Sequence, residues 1–360
     1  MAAALRTSTR RLAALAGGVA LAAGALAAGS SPAVAAPGAG PTAVVSLGDS
    51  AMSGEGAGSY EAGTDGPRNY CHRSAYSTIK STSVAGVEAK INIACSGAAS
   101  SDVRIGGTSH FTEPSQADQL RAIARDYDVK MIVLQIGAND DPAFSDSVFT
   151  CVQAWANPFA SACKNELAPV WPDRMAAMAP KVEASVADLR TVMREAGYAD
   201  SAYQFVLTSY ASPFTENMNK LTHGFDGCPI RLADAKFART EAVGQLSAAL
   251  RGVAARSGVR FLDLARATEG REACNKSVAK SARWVSPLLI DVGELFESGD
   301  PANVVRQSFH PNANGHRQFG ACLTEFYSSG LQEGACLRGS DGNLHAVAEI
   351  TTATARYSAG

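Results

Sequence analysis

The sequence lacks a run of basic residues, and its 32 Lys and Arg side chains face 34 Asp and Glu, for a net charge of −2. Proteins that bind nucleic acid usually carry a basic patch or stripe. Beyond the N-terminal segment, the sequence also lacks an apolar run long enough to span a membrane. We therefore expect no nucleic-acid partner and no stable membrane anchor.

The sequence also lacks the residue spacing of a metal site, because it has no Cys-x-x-Cys pair and no histidine cluster with ligand spacing. We predict no metal and no other cofactor. The eight cysteines instead indicate disulfide bonds, since an even number behind a signal peptide is typical of secreted proteins. The sequence does not fix the pairing. Our working hypothesis joins neighbours along the chain: Cys71–Cys95, Cys151–Cys163, Cys228–Cys274 and Cys322–Cys336.

Residues 1–36 are predicted to be a secretory signal peptide. Arg6, Arg10 and Arg11 form a positive segment, Leu12–Ala28 is rich in alanine and leucine, and Pro32–Ala36 offers small residues for cleavage. The paired arginines leave a twin-arginine signal open as an alternative. The prediction is a secreted, extracellular protein.

The rest of the chain alternates between short β-branched runs and amphipathic stretches, which predicts an α/β fold with a parallel sheet covered on both faces. Apolar runs predict five strands, at Ala43–Ser46, Ile91–Ala94, Met131–Ile136, Phe205–Thr208 and Val259–Leu264. Helical periodicity predicts helices at Ala117–Ala124, Arg174–Ala196, Ala233–Ala255 and, with proline at its first position, Pro311–Tyr327.

Two segments fit this alternation poorly. Asp141–Asp173 is rich in Pro and Trp, and it is interpreted either as a disulfide-stapled loop over the site or as a small subdomain. The last residues show no clear period. We expect a single domain over residues 37–340 and a C-terminal extension of unknown structure over residues 341–360.

Polar residues follow three of the predicted strands. Ser50 follows the first, Gly97 the second and Asn139 the third, and His310 lies in a Pro/Asn-rich loop before the last helix. Reactive residues gather beyond the carboxyl ends of parallel strands. A serine nucleophile needs a base within hydrogen-bond reach and donors for the oxyanion that forms. These four residues supply all three parts.

Each of these residues also has an ordinary structural interpretation. Ser50 could cap a helix, Gly97 could serve a turn, and Asn139 could bond its own backbone. His310 could be an ordinary loop histidine, and we assign His316, six residues later, a structural role. The order of the motifs along the chain favours catalysis.

Together the motifs resemble the SGNH (GDSL) hydrolase superfamily, in particular the secreted, disulfide-containing esterases and lipases of actinobacteria. The matching blocks are "SLGDSAMSGEGAGSY", "CHRSAY", "ACSGAASSDV", "LQIGANDD", "LDLARATEGREAC" and "SFHPNANGH". The resemblance implies a flavodoxin-like three-layer α/β/α sandwich around a five-stranded parallel sheet. It also implies Ser50 as nucleophile and His310 as general base, with an oxyanion hole formed by the backbone N–H groups of Ser50 and Gly97 and the Asn139 side chain. The neighbour-paired disulfides, at least the first three, agree with it.

The sequence departs from the family pattern three residues before the histidine, where Gln307 stands in place of the usual aspartate. A neutral glutamine cannot stabilise an imidazolium as a carboxylate does. We therefore predict a Ser–His dyad whose histidine is held by a main-chain carbonyl near Gln307 or Ser308. Asp291 or Asp300 is the alternative partner. Ala138 also stands where a glycine is frequent, which a negative φ would tolerate.

The predicted function is a secreted, monomeric serine carboxylic-ester hydrolase that acts on a small-molecule or lipid ester through an acyl-enzyme on Ser50. A phospholipase or lipid acyltransferase would use the same site. A glycan esterase of the acetyl-xylan type is a further alternative. A non-catalytic binding protein is disfavoured by the presence of all four site residues.

Overall fold

Seven strands form one sheet in the computed structural model, which describes residues 38–66, 68–290 and 305–348. The predicted signal peptide lies outside these ranges. The strands are β1 (Thr42–Gly48), β2 (Ala89–Asn92), β3 (Asp128–Gln135), β4 (Gln204–Thr208), β5 (Arg260–Asp263), β6 (Glu333–Arg338) and β7 (Leu344–Val347). The helices are α1 (Ser50–Ser53), α2 (Ser100–Val103), α3 (Gln116–Asp126), α4 (Phe144–Ala156), α5 (Lys164–Glu195), α6 (Leu232–Phe237), α7 (Val243–Ser257) and α8 (Ala313–Ser329).

The order of the strands across the sheet is β2-β1-β3-β4-β5-β6-β7. The first six strands are parallel, and β7 pairs antiparallel with β6. The order of β1 to β5 is the flavodoxin-like 2-1-3-4-5 order. The predicted α/β fold is confirmed, with two strands beyond the five expected.

The two faces of the sheet carry separate hydrophobic cores. Because successive strand residues point to opposite faces, Val45 and Leu134 pack with α3, α5 and α7 on one side, while Val44 and Val133 pack with α8 on the other. Leu250 in α7 and Phe326 in α8 are fully buried against their respective faces. The sheet is therefore the middle layer of a three-layer sandwich.

The segment Asp141–Asp173 is largely helical. It holds all of α4 and the beginning of α5, and the Cys151–Cys163 disulfide joins the two helices. The helix predicted at Arg174–Ala196 begins ten residues earlier, at Lys164, and contains Pro169, Pro172 and Pro180. A proline inside a helix costs about 3 kcal/mol. Burial of the apolar face of α5 outweighs that cost.

The C-terminal part of the sheet corrects two expectations. Residues 341–348, placed in an extension of unknown structure, include β7 and complete the sheet edge. The last helix starts at Ala313 rather than Pro311, because the Asn312 side chain caps it by accepting from the N–H groups of Asn314 and Gly315.

The predicted helix Ala233–Ala255 is divided into α6, a π-helical turn at Ala238–Ala242, and α7. Within the described ranges, no helix is both long enough and apolar enough to cross a membrane.

The structure joins all eight cysteines in four disulfides, Cys71–Cys95, Cys151–Cys163, Cys228–Cys274 and Cys322–Cys336. The first ties the loop after α1 to the end of β2, and the last ties α8 to β6. Each bond restricts the unfolded chain and typically stabilises a protein by about 2–4 kcal/mol.

Candidate active site

Ser50 lies directly beyond β1, at the first position of α1. Gly48 has φ of +134°, and a Cβ there would lie 1.9 Å from the Gln135 carbonyl oxygen, so only glycine fits at this crossing. Asp49 caps α1, since its carboxylate accepts from the Ala51 N–H at 3.0 Å. The N-cap is therefore Asp49 and not Ser50, which leaves the Ser50 hydroxyl available for other contacts.

His310 meets Ser50 across 260 residues of sequence. The His310 Nε2 atom lies 2.8 Å from the Ser50 Oγ atom, and His310 Nδ1 lies 3.0 Å from the Ser308 carbonyl oxygen. A carbonyl oxygen can only accept, so Nδ1 carries the proton and Nε2 is left as the acceptor for the serine hydroxyl. The main-chain partner is Ser308. Asp291 and Asp300, the alternative partners, lie outside the described residues.

The loop that carries His310 is fixed by the segment around Ser286. The Ser286 N–H donates to the His310 carbonyl at 3.0 Å, and the Phe309 N–H donates to the Ser286 carbonyl at 3.2 Å. The Phe309 ring also packs on Phe214, with 4.8 Å between ring centroids. These contacts hold the imidazole in place before α8 begins.

Burial lowers the pKa of His310, while the negative charge of Glu55 and the bond to the Ser308 carbonyl oppose that shift. The net result is a pKa below the ordinary histidine value of 6.5. The imidazole is therefore neutral at neutral pH, as a proton acceptor must be.

Asn139 is linked to the end of β2 by its side chain. Its Nδ2 atom donates to the Ala98 carbonyl oxygen at 2.9 Å, so this amide group bonds a distant part of the chain and not its own backbone, the alternative considered for Asn139. One amide hydrogen remains for another acceptor. Asn139, Ser50 and His310 line one cavity.

Gly97 lies on the surface after β2, with φ of +84°, a conformation that favours glycine. It is not among the residues that line the cavity with Ser50. Within the described residues, neither the Gly97 N–H nor the Ser50 N–H donates to a protein acceptor. Both groups are thus free to bind a substrate oxygen.

The cavity at Ser50 encloses about 1170 Å³, including its part open to solvent. Away from the dyad its wall is built mainly by α4, α5, α6 and α7 and is largely apolar, with Ser145, Ser147 and Asp234 as polar residues on it. The large apolar side chains on it include Phe144, Val148, Leu167, Trp171, Phe214, Ile230, Phe237, Leu246 and Phe309. Such a wall suits an acyl chain.

Asp49, the residue before Ser50, forms a hydrogen bond with Tyr210. The Tyr210 hydroxyl donates to the Asp49 carboxylate, and it accepts from the Ala138 N–H at 3.3 Å. Burial raises the pKa of Asp49 to about 7, although the bonds from Tyr210 and from the Ala51 N–H work against that rise. Tyr210 follows β4, and it could not be singled out from the sequence because a lone tyrosine after a strand gives no specific signal.

Two further residues behave as structural groups. His316 is fully buried, its Nδ1 lies 2.9 Å from the Thr78 hydroxyl, and burial lowers its pKa to about 3. Gln307 is partly buried, and its main-chain oxygen packs against Gly56. The structural role predicted for His316 agrees with these contacts.

One group of metal-ligand residue types clusters within the described part of the chain, Cys151, Cys163 and Asp234. Both cysteines are joined in a disulfide, and a metal needs the free thiolate. This cluster therefore does not fit a metal.

Comparisons with known proteins agree with the geometry. "Lipase 2" of Streptomyces coelicolor is 26% identical over 230 residues, which cover 62% of this chain and 69% of that protein. The crystal structure of phospholipase A1 from Streptomyces albidoflavus superposes with a TM-score of 0.52 at 22% identity, covering 77% of this chain and 94% of the other. This likeness supports the fold.

The extracellular lipase of Streptomyces rimosus is also similar, with 25% identity, a TM-score of 0.48, and coverage of 76% of this chain and 94% of that one. Residues 46–318 match the GDSL-like Lipase/Acylhydrolase family, a span that runs from β1 through the His310 loop into α8. The chain therefore belongs to the GDSL-like lipase/acylhydrolase family of carboxylic-ester hydrolases.

Proposed function

We propose that Ser50 is the nucleophile and His310 the general base of an esterase or lipase that cleaves esters with an extended acyl chain. The observation that carries the proposal is the 2.8 Å contact between Ser50 Oγ and His310 Nε2 at an apolar cavity. A nucleophile bonded to a base that is itself held by a third group is the arrangement needed for acyl transfer.

The proposed reaction uses an acyl-enzyme. His310 Nε2 takes the hydroxyl proton as Ser50 Oγ attacks the ester carbonyl, and the resulting imidazolium then protonates the leaving alcohol. Water attacks the acyl-enzyme, its proton passes to His310, and Ser50 recovers that proton when the acid leaves. A positioned base of this kind contributes about 10²–10⁴-fold.

The oxyanion of each tetrahedral intermediate is assigned to the backbone N–H groups of Ser50 and Gly97 and the Asn139 amide. Their support is that both N–H groups lack a protein acceptor within the described ranges and that Asn139 shares the cavity with Ser50. Removal of one oxyanion donor typically costs about 10²–10³ in kcat. Asn139→Ala should therefore lower kcat more than it raises KM.

The apolar wall favours lipid esters over acetylated glycans, because a sugar would leave its hydroxyl groups without partners on such a surface. The phospholipase A1 of S. albidoflavus has a similar fold, which makes a phospholipid a natural test substrate. The proposal includes secretion as a monomer, and four disulfides and the N-terminal segment support export.

The first test compares Ser50→Ala with Ser145→Ala, which alters an exposed serine on the same cavity. Hydrolysis of a p-nitrophenyl ester by Ser50→Ala should fall at least about 10³-fold, while Ser145→Ala stays near the wild-type rate. Unchanged turnover in purified, folded Ser50→Ala protein would refute the assignment.

The second test addresses the acyl chain. Ala238→Phe places a large side chain on the cavity wall, and Ala233→Phe places the same side chain at an exposed position of α6 off that wall. Ala238→Phe should reduce kcat/KM for decanoyl esters far more than for acetyl esters, and Ala233→Phe should leave the ratio unchanged. Faster cleavage of acetylated xylan than of decanoyl esters by the wild type would overturn the lipid assignment.

A further inference from the structure

Two buried ionisable side chains, Glu55 and His72, lie near His310. The hydrogen bonds of the His310 imidazole go to Ser308 and Ser50 and do not involve them. Glu55 is 0% exposed and His72 is 1% exposed. His72 Nδ1 lies 2.6 Å from Glu55 Oε2. Because the carboxylate accepts, Nδ1 carries the proton of this bond. The reaction proposed above makes no use of this pair.

The pair is held in place from several sides. The Tyr60 ring stacks on His72 with 4.6 Å between centroids, and its hydroxyl lies 3.4 Å from Glu55 Oε1 while accepting from the Gly56 N–H at 3.0 Å. The Cys71–Cys95 disulfide anchors the neighbouring residue of His72 to the end of β2. Glu55 therefore has little freedom to move away.

The backbone at Glu55 and Gly56 contacts both members of the dyad. The Glu55 N–H donates to the Ser50 carbonyl oxygen at 3.1 Å. The next residue, Gly56, has φ of +80°, and a Cβ there would lie 3.0 Å from His310 Cβ and 2.9 Å from the Gln307 carbonyl oxygen. Glu55 thus lies one residue from direct packing on His310.

The carboxylate of Glu55 remains charged despite its burial. Burial alone would raise the pKa of Glu55, but the hydrogen bond and charge of His72, together with the charge of His310, outweigh it and lower the pKa. A buried charge acts strongly on its neighbours because little solvent screens it. The Ser308 carbonyl that holds His310 Nδ1 is a dipole without net charge, and Gln307 is neutral.

We propose that Glu55 is a positioning residue whose buried carboxylate supplies the negative charge that stabilises the His310 imidazolium during the reaction. It acts through His310 and does not touch the substrate. This inference deepens the proposed function and rests on the roles given there to Ser50 and His310. Burial of a carboxylate destabilises a fold, and this role accounts for the presence of Glu55 in the interior.

Other charged or titratable groups also act on His310. Arg306, on the segment before it, and His72, on the loop after α1, both lower its pKa, and His316 approaches from α8. Among these groups only Glu55 raises it. Removing the Glu55 charge therefore leaves, among the described residues that act on His310, only charged groups that oppose the imidazolium.

The test is the pH profile of kcat/KM for Glu55→Gln, which keeps the shape and loses the charge. Its acid limb should move to lower pH because Glu55 raises the pKa of His310, and kcat/KM on the plateau should fall by about tenfold because the imidazolium is less stabilised. Glu55→Asp, which keeps the charge, should restore the position of the limb. The matched control is Glu113→Gln, because Glu113 pairs with Arg73 beside His72 and should alter stability with no shift of the limb.

If Glu55→Gln does not fold, His72→Asn tests the same idea, because it removes the hydrogen bond and charge that lower the pKa of Glu55 and leaves burial to raise it. Asparagine tolerates the positive φ of +48° at this position. Glu55 acts on His310 more strongly than His72 does, so the loss of the Glu55 charge should move the limb to lower pH, as in Glu55→Gln. A limb that stays in place in folded Glu55→Gln, or moves to higher pH in His72→Asn, would overturn the proposal. Either result would leave the Ser50→Ala test of the proposed function intact.

Discussion

Two buried carboxylates, Asp49 and Glu55, lie on either side of Ser50 in the sequence and differ in how burial affects them. Asp49 is 1% exposed and bonds the neutral hydroxyl of Tyr210, and burial raises its pKa to about 7. Glu55 is 0% exposed and bonds the imidazole of His72, which together with His310 lowers its pKa despite burial. The hydrogen-bond partner therefore decides whether a buried carboxylate keeps its charge. A hydroxyl offers only a hydrogen bond, whereas an imidazole can also carry a positive charge.

The largest expected effect is on the pH dependence of stability. Between pH 3.8 and about 7, the folded protein keeps a proton on Asp49 that the unfolded chain releases. The stabilising contribution of protonated Asp49 is fully present below pH 3.8 and is lost as the pH rises to about 7. Over this range the free energy of unfolding should fall by on the order of 4 kcal/mol. Asp49→Asn cannot ionise and should lack this loss, as measured by urea unfolding from pH 3 to 8.

Glu55 should behave in the opposite way. Its folded pKa lies below 4.5, so its contribution is present above pH 4.5 and disappears as the pH falls through the folded value. Glu55→Gln should therefore approach the wild-type stability only at acid pH. If the free energy of unfolding of both variants changed with pH in parallel with that of the wild type, the difference between Asp49 and Glu55 would be refuted.

A smaller effect is expected from Tyr210→Phe. The change removes the donor to Asp49 and leaves the Ala138 N–H without its acceptor, which should lower the free energy of unfolding by about 1–3 kcal/mol. The exposed Tyr76 is the control, and Tyr76→Phe should change stability by less than about 0.5 kcal/mol. Equal effects of the two variants would show that the hydrogen bonds of the Tyr210 hydroxyl do not contribute to the free energy of unfolding.

The central strands and the residues of the dyad could be predicted from sequence because each carries a local signal. The run before Ser50 is continuous and apolar, and β1 indeed covers Thr42–Gly48. The last two strands gave no such signal. The apolar part of β6 is only four residues long, between Glu333 and Arg338, and β7 is a short, partly exposed edge strand. The start of α5 was missed because prolines normally end helices.

The Glu55–His72 pair could not be predicted, although both residues lie in blocks that carried the family resemblance. They are 17 residues apart on an irregular loop. Such a loop has no periodicity from which contacts between side chains can be predicted. Contacts of this kind depend on the path of the loop, which the Cys71–Cys95 disulfide helps to set. The Ser308 carbonyl was anticipated only as one of two main-chain groups, since the sequence does not show which carbonyl faces Nδ1.

The smallest expected effect is from Gln307→Ala. The carbonyl that holds His310 Nδ1 is in the main chain of Ser308 and remains in the variant. Activity should therefore stay within about threefold of wild type, well under 1 kcal/mol in the barrier. A thousandfold loss in folded protein would show that the glutamine side chain itself orients the histidine.

The meeting of Ser50 and His310 is tested most directly by locating the residue that a fluorophosphonate modifies. The account predicts a single adduct on the peptide that contains Ser50, found by mass spectrometry, with labelling strongly slowed in His310→Ala. Labelling of Ser50→Ala at the wild-type rate, or an adduct on another residue while Ser50 stays unmodified, would contradict it.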